Sequence, residues 1–165
     1  MIELRMKVMA EQLDESRSRM WRLLRTTYVT VVAQIEQDLE QAGLPPLIWY
    51  SVLWTLERAP QQELRLHELA DAVFLSRSNI TRLIDRLEAA GLLCRKRCPM
   101  DRRGAYAAIT PEGLAMRQRM WAIYAEGIAT YLTDHLSDEE VKVLESVFER
   151  ALVTAQTLTH PIKDQ

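Results

Sequence analysis

The stretch from Ser76 to Thr110, SRSNITRLIDRLEAAGLLCRKRCPMDRRGAYAAIT, decides how this chain is read. Ile80, Leu83, Ile84 and Leu87 recur at steps of three and four, the spacing of an apolar stripe on one helix face. Ser76 supplies the N-cap, and Gly91 suits the left-handed residue just past the helix end. Beyond it, Leu92 to Lys96 and Ala105 to Ile109 are short strand-like runs flanking Cys98-Pro99-Met100-Asp101-Arg102-Arg103-Gly104, which predicts an antiparallel hairpin with a basic tip. Between Ser76 and Arg103 there are eight basic residues and three acids, a net +5. The whole chain, with 21 basic and 23 acidic residues, carries −2, so everything outside the segment sums to −7. Acidic everywhere except one compact segment, the chain has a footprint that draws a polyanion to one face.

Working outward, Leu69, Ala70 and Val73 predict a short helix from His67 to Phe74, preceded by a brief strand in which Leu64 and Leu66 alternate with Arg65. Helix, turn and capped helix in that order form a helix-turn-helix. Toward the N-terminus, Leu47 to Arg58 reads as a largely buried helix carrying Trp49, Tyr50 and Trp54, opened by Pro46 and closed by Pro60. Ahead of it, Trp21, Leu24, Tyr28, Val31, Ile35 and Leu39 predict a long helix from Asp14 to Gln41, ended at Ala42-Gly43. On the other side, Thr110-Pro111-Glu112 starts a helix reaching about Thr133, and the capping box from Ser137 to Glu140 opens a last one through Leu158. The fold is mostly α, with one small sheet.

The stripe of the Ser76 helix turns Arg77, Ser78, Asn79, Thr81, Arg82, Asp85 and Arg86 outward. The first part of a recognition helix enters the major groove, so Arg77, Ser78, Asn79 and Thr81, whose donors and acceptors suit base edges, are the base-reading candidates. Arg82 and Arg86, one turn apart, suit phosphate contacts that fix register. On the hairpin tip, Arg103 with Arg102 beside it is placed to enter a narrow minor groove. Asp101 belongs there only if it holds a neighbouring guanidinium in a paired geometry.

This ordered set resembles the MarR family of winged-helix transcription regulators. The likeness rests on LSRSNITRLIDRLEAAGLL (Leu75 to Leu93) and DRRGAYAAITPEG (Asp101 to Gly113), and the helical order on both sides fits it. It implies a homodimer on an imperfectly palindromic operator, and repression relieved by a small ligand or an oxidant. By the same likeness Ser78, Asn79, Thr81 and Arg82 fall on major-groove positions, Arg103 on the minor-groove wing arginine and Asp101 on the acid that braces the wing. The implied architecture is a winged helix-turn-helix lobe over residues 46–110, with a helical homodimerisation region over residues 1–45 and 111–165.

The apolar pattern agrees about the dimer. The first helix carries a stripe too long for one small lobe to cover, and the last offers Val141, Leu144, Val147 or Phe148, Ala151 and Leu158. Seams of that length mark an interface, although they would also serve to complete a monomeric bundle. Two-fold pairing sets recognition helices roughly 34 Å apart, one duplex turn. Trp21, Tyr28, Trp49, Tyr50 and Trp54, with Trp121, are candidates to line a pocket for a small aromatic or phenolic effector, while rings at helical spacing serve a core equally well. Cys94 and Cys98 lie beside Arg95, Lys96 and Arg97, an electropositive setting that favours reactive thiolates, so redox sensing is an alternative signal. A second alternative is a winged-helix adaptor that binds protein alone, which has little use for wing arginines.

Other classes are excluded by what the chain lacks. No GxxxxGK, GxSxG or HExxH run occurs, so no catalytic residues are assigned and no enzyme is expected. Two cysteines without a nearby histidine make no four-ligand zinc site, and neither metal nor cofactor is expected. A composition 48% hydrophobic and 27% charged is that of an ordinary globular domain. No apolar run approaches the roughly 20 residues of a membrane span, and the first residues, MIELRMKVMAEQLDE, carry charge where a signal peptide is apolar. A cytoplasmic protein with no membrane partner is the expectation.

Overall fold

The computed structural model describes residues 14–97 and 105–159. Among the described residues six helices and three strands run in the order α1 (Glu15–Gln41), α2 (Leu47–Arg58), β1 (Glu63–Arg65), α3 (Leu66–Ala72), α4 (Arg77–Ala89), β2 (Leu93–Arg97), β3 (Ala105–Ile109), α5 (Pro111–Tyr131) and α6 (Asp138–Thr159). Short 3-10 turns, Pro60–Gln62 and Thr133–His135, precede β1 and α6. The sheet is antiparallel in the order β1-β3-β2, with Leu64 opposite Ala107 and Arg95 opposite the same residue from the other side.

Local signals account for most boundaries. Asp14 caps α1 by accepting from the Arg17 N–H at 2.8 Å, and its carboxylate also meets the Arg17 guanidinium. The end of α1 is a left-handed Gly43 (φ 65°), after which the Leu44 N–H donates back to the Leu39 carbonyl at 2.8 Å. Pro46 sits at the N-cap of α2 and has no side-chain acceptor to offer, so Glu36 of α1 supplies one, accepting from the Leu47 N–H at 3.0 Å. Thr110 caps α5 through the Gly113 N–H at 3.0 Å and donates to the Gly91 carbonyl at 2.7 Å, tying the start of α5 to the end of α4. Gly113 permits that junction: a Cβ there would lie 2.0 Å from the Leu92 carbonyl oxygen.

Two cores result. One joins Val52, Leu53 and Leu56 of α2, Leu69 and Ala70 of α3, the stripe Ile80, Leu83, Ile84 and Leu87 of α4, and Leu93 and Ala107 of the sheet. The other is smaller, with Ile35 and Leu39 of α1, Tyr50 of α2 and Met120 of α5. Trp49 and Met116 pack against both and weld them together. Each fully buried Leu or Ile contributes about 1.5–3 kcal/mol of transfer free energy, so the four-residue stripe fixes which face of α4 turns outward.

Several sequence expectations shift. The alternation of Leu64 and Leu66 predicts strand through Leu66, but Leu66 opens α3, because Glu68 captures the Arg65 N–H at 3.0 Å and starts the helix there. That helix ends at Ala72 rather than Phe74, since Phe74 turns left-handed (φ 56°). β2 begins one residue later than expected, at Leu93, and α5 stops at Tyr131 before a 3-10 turn. Trp54 is 43% exposed instead of buried, its ring covered in part by the Arg58 guanidinium 5.1 Å from the centroid. Of the α1 stripe only Ile35 and Leu39 are buried, whereas Trp21 and Tyr28 are 59% and 67% exposed.

Candidate nucleic-acid interface

The capped start of α4 presents its polar side chains as a set. Ser76 Oγ accepts from the Asn79 N–H at 3.3 Å and lies 3.2 Å from Ser78 Oγ, so both hydroxyls belong to the first turn. Thr81 Oγ1 donates to the Arg77 carbonyl at 2.9 Å, which holds its rotamer and leaves its lone pairs outward. Arg77, Ser78, Asn79, Thr81, Arg82 and Arg86 are all exposed, while the stripe between them is buried. No carboxylate among the described residues pairs with Arg77, Arg82 or Arg86. Alongside runs a groove of about 610 Å³ bounded by Ile48 and Leu75 and rimmed by Asn79, Arg82 and Arg86. The amino end of α4 adds free N–H groups and partial positive charge to this surface.

The positive charge of the segment is divided between two jobs. Arg95, on β2, is an internal fastener: its Nη1 donates to Glu88 Oε2 at 2.8 Å and its Nη2 to Asp85 Oδ1 at 2.5 Å, while its N–H donates to Glu88 Oε1 at 2.9 Å. A longer bond reaches the Thr81 carbonyl at 3.4 Å. Burial works against this cation, yet the Asp85 and Glu88 carboxylates outweigh it and hold the Arg95 pKa above its ordinary value. Lys96 Nζ pairs with Glu63 Oε2 of β1 at 2.6 Å, and that carboxylate raises the Lys96 pKa. Sequence reasoning counts Arg95, Lys96 and Asp85 as surface charge. The fold uses them to fasten β2 to α4 and to β1, and among the described side chains of the Ser76–Arg103 segment the cations with no carboxylate partner are Arg77, Arg82 and Arg86 on the α4 outer face.

Arg102, Arg103, Asp101 and Cys98 lie outside the described residues, so the wing-tip assignments rest on the sequence. Cys94 is exposed on β2, and Arg95 and Lys96 beside it are each paired with a carboxylate. Among the described residues no group of three or more His, Cys, Asp or Glu is placed to hold a metal ion, and no helix is long and apolar enough to cross a membrane.

The predicted ring set is only partly assembled. Tyr50 stacks on Trp121 at 6.0 Å and meets the edge of Tyr124 at 5.0 Å, and Trp121 meets Tyr124 edge-on at 5.9 Å. Burial pushes the Tyr50 and Tyr124 phenols up, the nearby Arg117 opposing this at Tyr50 and Tyr28 adding to it at Tyr124. Trp49 is half-buried between the cores and Trp54 stands under Arg58. Trp21 remains on the exposed half of α1. Sequence reasoning misses Tyr124 and Arg117. The latter pairs through Nη2 with Glu57 Oε1 at 2.6 Å, and its buried Nε has no hydrogen-bond partner among the described residues.

The model of the MarR family matches residues 42–104, from the end of α1 to the residue before β3. Over 144 residues the chain is 27% identical to the HTH-type transcriptional regulator MhqR of Bacillus subtilis, covering 87% of this chain and 97% of that one. The crystal structure of AbsC, a MarR family transcriptional regulator from Streptomyces coelicolor, superposes with a TM-score of 0.78 at 26% identity, covering 87% and 97% of the two chains. Sco3205, a MarR family regulator of the same organism crystallised in complex with DNA, gives a TM-score of 0.77 at 26% identity over 85% of this chain and 88% of its own. A mostly helical chain with a three-stranded sheet, a capped helix turned polar side outward and these relatives agree: in sequence and in fold the chain is similar to winged-helix transcriptional regulators of the MarR family.

Proposed function

We propose that this protein is a homodimeric repressor that grips a pseudo-palindromic operator with two copies of α4 and is released by a small aromatic or phenolic ligand. The observation that carries the reading is the outer face of α4, where Arg77, Ser78, Asn79, Thr81, Arg82 and Arg86 are all exposed over a sealed apolar seam. The DNA complex of Sco3205, similar over most of both chains, supports double-stranded DNA as the partner. In this reading Arg77, Ser78, Asn79 and Thr81 meet base edges, Arg82 and Arg86 meet phosphates, and the wing adds Arg102 and Arg103 with Asp101 as brace.

Residues 46–110 form the DNA-binding region, and residues 1–45 and 111–165 the dimerisation region. The exposed apolar residues of α1 and α6, among them Met20, Leu23, Val147 and Leu152, cover one another across the two-fold axis. The ligand enters beside Tyr50, Trp121 and Tyr124, where the Arg117 Nε, without a partner among the described residues, supplies a hydrogen-bond donor for an acidic or phenolic group. The test is selection of a duplex from a random library by the full-length protein, followed by titration of variants. Asn79→Ala is expected to change the base preferred at one position of each half-site. An unchanged selected sequence overturns the base-reading assignment.

A further inference from the structure

Phe74 is an oddity that the helix-turn-helix does not need. It occupies the turn between α3 and α4 at φ 56°, a left-handed conformation that suits Gly or Asn and that a bulky side chain seldom adopts. Its ring is 91% exposed, the highest value among the large hydrophobic residues described as exposed. One exposed apolar residue is ordinary on any surface. The left-handed backbone closes α3, the Leu75 N–H donating to the Ala70 carbonyl at 2.9 Å, a task for which Gly or Asn is better suited; the exposed ring adds no packing to it, and a bulky side chain kept at such a position is a candidate for binding.

The surroundings say what the ring meets. Phe74 precedes the Ser76 cap by two residues and Arg77 by three, a chain length of at most about 11 Å. It therefore flanks the amino end of α4, the end that enters a major groove first. Its neighbours on that side are the hydrogen-bonding side chains Arg77, Ser78 and Asn79, which suit base edges, and they leave one feature of the groove unread. That feature is the 5-methyl group of thymine, for which an aromatic or apolar side chain is the matching reader. We infer that Phe74 is a specificity-determining residue that packs its ring on a thymine methyl at the edge of each half-site. The inference rests on the DNA-binding reading above and adds a reader that hydrogen-bonding patterns do not reveal.

Its test uses the full-length protein and the duplex selected from the random library, with three variants. Phe74→Gly and Phe74→Asn both suit the left-handed turn, so each is expected to melt at least as high as wild type while binding the duplex about tenfold more weakly. Replacing thymines one at a time by deoxyuridine removes only the methyl. At one thymine per half-site this is expected to cost wild type about fourfold and to cost the two Phe74 variants nothing. Arg82→Ala serves as the reference for the rest of the face. If Arg82→Ala weakens binding but both Phe74 variants bind as wild type, or every deoxyuridine substitution costs wild type and variants alike, the Phe74 inference is overturned and the α4 face stands. If Arg82→Ala also binds as wild type, the DNA-binding face itself is wrong and the inference falls with it.

Discussion

The winged-helix lobe and the two end helices are built from similar apolar residues at similar spacing, yet one set is sealed and the other is not. In the lobe, Ile80, Leu83, Ile84 and Leu87 are 2% exposed or less. In α6, Val147 and Phe148 are each 40% exposed and Val153 is 63% exposed, and no described side chain of that helix is buried. The lobe completes its core within one chain. The first half of α1 and the whole of α6 do not, and in the proposed dimer these stripes, which no described element of the chain covers, are the surface for a second copy. Under the proposed dimer the contrast divides labour: a self-sufficient lobe holds the polar face of α4 in one orientation, while the end helices decide how two such faces are spaced.

Perturbing each half separately sharpens this contrast. The largest effect is expected from Ile84→Ala, which removes a fully buried side chain from the lobe core and should cost about 2–5 kcal/mol, read by urea unfolding. A loss this large at constant dimer content places the damage in the lobe; a negligible loss means that the seam is less sealed than its burial indicates. Next comes Val147→Asp, combined with Leu23→Asp. Both positions are exposed in the single chain, so the helical content should persist by circular dichroism while the dimer separates in sedimentation and operator affinity falls by roughly 100-fold. A variant that stays dimeric breaks the assignment of these faces. A smaller effect should follow Arg95→Lys, which keeps the charge but lacks the fork that spans Asp85 and Glu88; operator affinity should drop by roughly threefold to tenfold. Lys96→Ala, which removes one exposed pair with Glu63, should leave both melting temperature and affinity unchanged within error.

What the sequence reveals follows how local each cause is. The cap at Ser76, the seam of α4 and the left-handed Gly91 (φ 73°) lie within sixteen residues, so the helix and its outward face are legible without a structure. The boundary of α3 is not, because the left-handed position that a Gly would announce is held by Phe74. The destination of Arg95 is equally hidden: its partners, seven and ten residues back, come within reach only after β2 has turned along α4. Rings at helical spacing in α1 and α2 predict a common pocket, but helix phase sends Trp21 and Trp54 elsewhere. The contacts that do form join Tyr50 to Trp121 and Tyr124, more than 70 residues away. Pattern reads faces well and long-range pairings poorly.

The central claim is that the outer face of α4 holds a duplex, twice in each dimer. Fluorescence anisotropy of the selected duplex over a salt series, for wild type and Arg86→Ala, tests it most directly. The expected result is a wild-type affinity that falls steeply with salt, and for Arg86→Ala a weaker affinity whose salt slope is shallower by about two, one phosphate contact per subunit. Identical affinities and identical slopes for the two proteins would contradict it.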